Sequence, residues 1–344
     1  MSALLKQIFA FLISSFVIFL LLFVFIFYFP NTKINNKVQS IYVPTDTTYS
    51  ELLALISPYV RSEFSFRIAA KAKQFRTARP GHFLLELGMG NQLLINTLRS
   101  KNTPVNVIFN NQQTVEHLAG RIAEQLEVDS LSLIQEFYSK SFLELVELNQ
   151  QELLSFFIPN SYEMYWNVSE KEFCDRMLDE HIRFWNTNRE LKRKLKKLSR
   201  AEVVNLAAIV NEESKNPDER PLVAGVYLNR LRKGMKLQAD PTVVYAMKRK
   251  ANNFDLNVRR VLYKDLKINS PYNTYKYRGL PPGPITMPDV NAIDAILDAE
   301  KHNYLYFVAD PSNPGDHLFA STYAKHLKNR DVYVRWLNKK GIMH

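Results

Sequence analysis

Cysteine is almost absent from this chain. A single residue, Cys174, among 344 excludes an internal disulfide framework and any metal site built from several thiolates. The seven histidines do not fall at H-E-x-x-H or similar ligand spacing, so no metal site is expected. Glycine is sparse as well, with ten residues. Gly88-x-Gly90 lacks the third glycine of a dinucleotide fingerprint and reads as a turn. Acids are outnumbered: 34 Asp and Glu stand against 45 Lys and Arg, a formal net charge of +11. That excess favours a polyanionic partner, whether nucleic acid, anionic lipid or an acidic polymer.

One long apolar run is present. Ile8–Tyr28 is apolar apart from Ser14 and Ser15, and its length matches the roughly 20 residues that cross a bilayer. Tyr28-Phe29-Pro30-Asn31 offers no small-residue cleavage site, so the run reads as an uncleaved single-pass anchor and not a signal peptide. Lys6 lies before it and Lys33 and Lys37 after it, a balance from which the positive-inside rule chooses no orientation. A nucleic-acid partner would rest on net charge alone and is not expected.

From Ser40 to about Gln125 a small unit repeats. Ile41-Tyr42-Val43 reads as a strand, and Thr48 with Glu51 makes a capping box before an apolar-periodic helix. Gly81–Leu87 is a second strand, followed by a helix through Leu93, Leu94 and Leu98. Val105–Phe109 is a third strand, and Thr114 caps a helix with Val115, Leu118, Ala119 and Ile122 on one face. Such a module either binds or only spaces the next domain from the membrane. Ser130–Leu198 is mainly helical, interrupted at Phe157–Tyr162 by Pro159. Its end, Arg189–Arg200, carries Arg189, Lys192, Arg193, Lys194, Lys196, Lys197 and Arg200. This run reads as a solvated helix face or as a contact for anionic headgroups or polymer.

The stretch Ala201–Asn229 reads as two helices with a break. Ser199 and Glu202 form a second capping box, so a helix starts near Arg200. Val203, Leu206, Ala207 and Val210 mark one face of a 3.6-residue period. Glu213 falls in step with Val210, Ile209 and Leu206 and points to the buried side, whereas Glu212 is rotated by about 100° and is wetter. A carboxyl among apolar neighbours has its pKa raised, because desolvation disfavours its charged form. Glu213 is therefore either a proton donor to a leaving group or a partly buried structural acid. The second helix begins after Asn216-Pro217 or later, near Pro221, and stops at Gly234.

Downstream, Gln238, Asp240 and Thr242 place an amide, a carboxylate and a hydroxyl around Pro241. They suit sugar hydroxyls, or Asp240 caps the next helix with Pro241 at its first position. Tyr272, Asn273 and Tyr275 lie in a loop that continues through the prolines of Gly279–Ile285. Tyrosine offers a flat face to a pyranose ring, and a rigid loop lowers the entropy cost of binding. Asn291–Glu300 reads as a helix and Tyr304–Ala309 as a buried strand, followed by His317 and His326. Lone histidines are more often structural hydrogen-bonders than catalysts.

The blocks AAIVNEES, GVYLNRLRKGMKLQADPTVVYAM, SPYNTYKYRGLPPGPI, YLYFVAD and DHLFASTYAKH, with RPGHFLL and FFIPNSYEMY upstream, resemble the endolytic murein transglycosylase (YceG-like) family. The resemblance covers nearly the whole chain in order, anchor included. In that family a helix ending in E-x-E supplies the catalytic glutamate as its second acid, which corresponds to Glu213. The first acid is replaced by Asn211 here, and the family's P-D-T-Y reads Pro159-Asn160-Ser161-Tyr162.

The resemblance implies a membrane-tethered enzyme of the bacterial cytoplasmic membrane with its catalytic domain on the outer side. It implies non-hydrolytic cleavage of the β-1,4 bond between N-acetylmuramic acid and N-acetylglucosamine in nascent peptidoglycan, leaving a 1,6-anhydro end and terminating strand elongation. Glu213 is the implied catalytic residue. Asn229, Gln238, Asp240, Thr242, Tyr272, Asn273, Tyr275 and His317 are expected to contact substrate; peptidoglycan synthases are expected partners. No cofactor and no metal are implied. The fold expected is α+β: a tail (1–7), a transmembrane anchor (8–29), a LysM-like glycan-binding module (38–128), a helical linker region (129–198) and a larger α+β catalytic domain (199–344). Two rivals stand beside it. One is a non-catalytic, membrane-tethered peptidoglycan-binding scaffold. The other, a pyridoxal-phosphate lyase, needs a Schiff-base lysine and a phosphate cup, and no glycine-rich loop offers one.

Overall fold

A computed structural model describes residues 3–185, 188–258 and 260–341. Residues 1–2 of the expected tail and 342–344 at the end of the expected catalytic domain lie outside the described residues. The elements run α1 (Ala3–Tyr28), β1 (Val38–Val43), α2 (Tyr49–Ile56), α3 (Glu63–Ala72), β2 (Gly81–Glu86), α4 (Asn91–Ser100), β3 (Val105–Phe109), α5 (Val115–Ala123), α6 (Ser130–Phe137) and α7 (Lys140–Val146). They continue with β4 (Asn160–Met164), α8 (Glu170–Trp185), α9 (Asn188–Lys196), α10 (Arg200–Glu213), α11 (Arg220–Arg232), α12 (Asp240–Ala251), α13 (Val290–Leu297), β5 (Tyr306–Ala309), β6 (His317–Ala320) and α14 (Tyr323–Lys339). The architecture is α+β.

The chain forms two compact units. One takes residues 1–107, Gln125–Val128 and Tyr162–Ser169; the other takes Ile108–Glu124, Asp129–Ser161 and Glu170–His344. In the first, α1 has an apolar surface from Leu4 to Phe25 that no protein covers. At 1.5 Å per residue its 26 residues extend about 39 Å, enough to cross a hydrocarbon layer about 30 Å thick. β1 and β2 pair antiparallel, from Val38 opposite Glu86 to Val43 opposite Gly81. Ile41, Val43, Phe83 and Leu85 alternate inward against Leu52, Ile56, Phe66 and Leu94, as the two-residue period of a strand requires. The Thr48–Glu51 capping box is formed in both directions.

The second unit draws in more chain than the sequence reading assigned to it. α5 carries Val115, Leu118, Ala119 and Ile122 on its buried face and packs on α6. The segment expected as a linker region is itself core: Phe137 meets Phe157 and Phe173, and Phe142 meets Phe156. Trp185 is wholly buried against α10 residues. An apolar helix face must be covered, and the nearest apolar faces lie in this unit. The basic run at α9 is not a bare cationic face either. Arg189 pairs with Asp294 at 2.7 Å, Lys192 with Asp298 at 2.6 Å, and Arg193 and Arg200 with Glu190 at 2.5 and 3.3 Å.

α10 is the centre of this unit. Ser199 accepts from the Glu202 N–H at 3.0 Å, and the Glu202 carboxylate accepts from the Ser199 N–H at 2.7 Å. Every residue from Val203 to Asn211 is buried, so α10 is enclosed all round and not only on the face that the apolar period marked. α11 takes the later of the two starts, with Glu219 at its N-cap and Pro221 in its first turn. Gly234 ends it at φ +62°, a conformation glycine adopts without penalty. α12 is capped by Ala239, not by Asp240, which is its first residue. β5 begins at Tyr306 and is half-buried where a buried strand was expected. It pairs with β6 alone, and α14 packs against this two-stranded ladder.

Candidate active site

Glu213 is the last residue of α10. It is half-buried while Glu212 beside it is exposed, the difference the helical rotation requires. Glu213 and Asp240 line a cleft of about 480 Å³ with Gln113, Tyr245, Lys248, Arg260, Ile285 and Thr286. Burial lifts the Glu213 carboxyl from its ordinary 4.5 to about 7, and the negative charge of Asp240 adds to the lift. A hydrogen bond from Tyr227 and the charges of His317 and Arg230 oppose it. The C-terminal end of a helix carries partial negative charge, which also disfavours a carboxylate there.

The neighbours come from several elements. Tyr227 and Arg230 stand on the buried face of α11. Arg230 donates to the carbonyls of Leu305 at 2.6 Å and Leu237 at 2.5 Å; its guanidinium sits over the Tyr306 ring. These partners are neutral, so its positive charge stays available to an anion nearby. Asp240 accepts from the Tyr275 hydroxyl at 2.5 Å, and burial with this bond raises the Tyr275 pKa. His317 opens β6. Its Nδ1 lies 2.7 Å from Glu219 Oε2, and its N–H donates to Glu219 Oε1 at 2.6 Å. Glu219 also accepts from the Ser214 hydroxyl at 3.2 Å. One buried carboxylate thus ties the residue after Glu213 to the strand that carries His317.

Several residues expected to contact substrate do other work. Thr242 is wholly buried, its hydroxyl donating to the Ala239 carbonyl at 2.7 Å and lying 2.8 Å from the Thr274 hydroxyl. Asn273 is wholly buried and donates to the carbonyls of Leu266 and Ile268, each at 2.9 Å. Asn229 donates to the carbonyls of His302 and Tyr304 at 2.8 and 2.9 Å. Tyr272, expected to offer its ring face to a sugar, packs against Tyr245 with ring centres 4.8 Å apart. The Arg249 guanidinium covers the ring. In each case an unpaired buried carbonyl or an open core position outweighs display on the surface. Gln238 is exposed, at φ +51°, and its N–H donates to the Thr274 carbonyl at 3.2 Å. It is not among the residues lining the cleft. Asn211, in place of an acid, accepts from the Asp289 N–H at 3.3 Å and donates to Glu212 at 3.0 Å.

Sequence reasoning missed Tyr227, Arg230 and Glu219. Arg230 lies in a basic string, N-R-L-R-K, that reads as surface, and Glu219 carried no motif. Gln113, Lys248 and Arg260 carried no motif. Among the described residues no cluster of three or more His, Cys, Asp or Glu is arranged to hold a metal ion.

The chain matches the YceG-like family over residues 41–332. It is 27% identical over 330 residues to the endolytic murein transglycosylase of Bacillus subtilis, covering 90% of this chain and 89% of the relative. It is 26% identical over 332 residues to the protein of the same name in Streptococcus pneumoniae strain R6, covering 87% of this chain and 59% of that longer relative. A crystal structure of a YceG-like protein from Listeria monocytogenes shares the fold. It has a TM-score of 0.56 and 24% identity, over 85% of this chain and 98% of that one.

Proposed function

The chain belongs to the YceG-like family, and on that premise we propose that it is an endolytic murein transglycosylase anchored in the cytoplasmic membrane by α1. Its substrate is the glycan of nascent peptidoglycan, cut at the β-1,4 bond between N-acetylmuramic acid and N-acetylglucosamine. The observation that carries this reading is Glu213, a half-buried acid opening on a cleft, with its pKa lifted to about 7. An acid that is substantially protonated near neutral pH can donate to a leaving oxygen, and its conjugate base can then accept a proton.

The steps follow from that one group. Neutral Glu213 gives its proton to the glycosidic oxygen as the bond to C1 of the muramoyl sugar breaks. The 6-hydroxyl of the same sugar attacks C1 and passes its proton to the Glu213 carboxylate, which closes a 1,6-anhydro ring and restores the acid. While Glu213 is ionised, the Tyr227 hydroxyl and the Arg230 charge stabilise it. No second carboxylate at hydrolase spacing is required. Asp240 and Tyr275, bonded to each other beside Glu213, are the residues we assign to sugar hydroxyls, with His317 positioned by Glu219. The module of β1, β2 and α2–α4 serves as a LysM-like glycan-binding element. Peptidoglycan synthases at the outer face are the natural partners, and cleavage there terminates strand growth.

The test is digestion of purified glycan strands by the full chain and by Glu213→Gln, with products identified by mass spectrometry. The wild-type chain is expected to release 1,6-anhydro ends; the variant is expected to be slower by about 100-fold or more. Reducing ends would refute the lytic chemistry, and anhydro release by the variant would refute the role of Glu213. Binding of glycan by the wild-type chain without any product would favour the scaffold reading.

A further inference from the structure

The last turn of α1 is built into the first module. Phe27 is 8% exposed, in the same core as Leu52 and Phe66. Asn91, the first residue of α4, donates to the Ile26 carbonyl at 2.8 Å and to the Ser65 hydroxyl at 3.0 Å. Asn31 donates to Asn91 at 2.7 Å and to the Ser62 carbonyl at 3.0 Å, and accepts from the Ser62 N–H at 2.8 Å. A Cβ at Gly90 would lie 2.8 Å from the carbonyl oxygens of Phe27 and Tyr28, so only glycine allows this approach. Buried polar groups satisfied in a closed set hold one geometry. The junction between helix and module is therefore a joint of fixed angle.

That joint sets the height of α3. Ser62 caps α3, and Ser65 in its first turn shares Asn91 with the Ile26 carbonyl. Phe64 stands between them and is 75% exposed; Ile68, one turn on, is 37% exposed. Phe64, Ile68 and Lys71 follow at spacings of four and three, which is one stripe of α3, and exposed Arg61 lies just before the Ser62 cap. The opposite face, Phe66, Ala69 and Ala70, is buried in the module. On the neighbouring stripe Arg67 is neutralised by Glu63, and exposed Lys33 follows directly on the buried Asn31–Thr32 joint. Two exposed apolar side chains on α3, with Lys71 on the helix and Arg61 just before it, suit a membrane interface. Tyr28, exposed at the end of α1, is a residue type enriched at that level.

We infer that α3 is a second membrane contact: its Phe64–Ile68–Lys71 stripe, with Arg61 just before the helix, lies in the outer headgroup layer of the bilayer that α1 crosses. The occupant of this face is lipid, because the joint holds α3 beside the final turn of a helix whose length ends at the headgroups. Acidic headgroups match the charge of Arg61 and Lys71. The inference rests on the reading of α1 as a membrane anchor. It adds that the module is seated on the membrane and does not sway above it.

The experiment labels single cysteines with an environment-sensitive fluorophore in the full chain, reconstituted in vesicles of phosphatidylcholine and phosphatidylglycerol. The native Cys174 is buried, and unsubstituted protein measures its background. The label at Phe64→Cys is expected to emit to the blue and to lose about half its emission to a headgroup quencher, because an interfacial helix sits about 5–10 Å into the boundary. A label at Ser50→Cys is expected to behave as in water. Ser50 is exposed and follows the far end of the β1–β2 ladder from α1. A label at Phe16→Cys, midway along α1, reads the anchor by a quencher deep in the acyl chain. Quenching at position 16 with a water-like signal at position 64 overturns the inference and leaves the anchor standing. No quenching at position 16 overturns both.

Discussion

Replacing Glu213 by glutamine should stabilise the second unit, increasingly as pH rises from about 4.5 to about 7. The folded chain holds this carboxyl at about 7 against an ordinary 4.5, so between those values the folded state binds more protons than the unfolded one. Stability then falls as pH rises through that window. The lift corresponds to about 3 kcal/mol at 1.36 kcal/mol per pH unit. Glutamine keeps the shape of the neutral acid and never ionises. Its gain over wild type is expected to be under about 1 kcal/mol at pH 5 and about 3 kcal/mol at pH 8. Urea unfolding in mild detergent, followed by tryptophan fluorescence to which core Trp185 contributes, measures it. With a slope near 3 kcal/mol per molar, the midpoint should move up by about 1 M at pH 8 and far less at pH 5. Equal shifts at both pH values, or none at pH 8, would show that Glu213 is not held neutral by its surroundings.

Other outcomes follow from the same geometry. The rate of glycan cleavage should fall as pH rises through about 7, since the donor must be protonated. Asp240→Asn should move that limb to lower pH and Tyr227→Phe to higher pH, because the first removes a charge that raises the Glu213 pKa and the second a bond that lowers it. Full pH–rate profiles of the three proteins check this, and shifts of one sign for both variants would refute it. Asn273→Ala should destabilise by about 1–3 kcal/mol, because the carbonyls of Leu266 and Ile268 lose a buried donor; denaturant titration measures the loss. Gly283→Ala should do at least as much harm, since its Cβ would meet the Gln151 carbonyl oxygen at 1.8 Å and overpacking costs about 1–3 kcal/mol or more. Thermal unfolding of the variant would test it. Ser199→Ala should cost about 1 kcal/mol by opening the capping box of α10, measured in the same way.

Local signals are legible where the partners are near in sequence. The two capping boxes, the strand at Val105–Phe109, the membrane-length helix and the half-buried setting of Glu213 were all legible, because a cap spans three residues and a helical face repeats every 3.6. The packing around several expected substrate contacts was not. Asn273, Thr242 and Tyr272 carry sugar-binding chemistry in their side chains, but nothing in a one-dimensional string says whether a carbonyl or a ring waits beside them in the fold. The same gap hid Arg230, whose basic neighbours in sequence are surface residues while it is buried.

By itself the sequence determined that the segments behind the two capping boxes become helices, where α10 begins, and that its final acid faces inward, since these depend on groups within one or two turns. Only the tertiary structure decided that Asp240 meets Tyr275 across 35 positions and that Glu219 meets His317 across 98. It alone decided that residues expected as linker form core. Those outcomes turn on which distant apolar faces cover one another and which buried polar groups then find partners. Burial and pairing are properties of the packed chain and leave no fixed spacing to read beforehand.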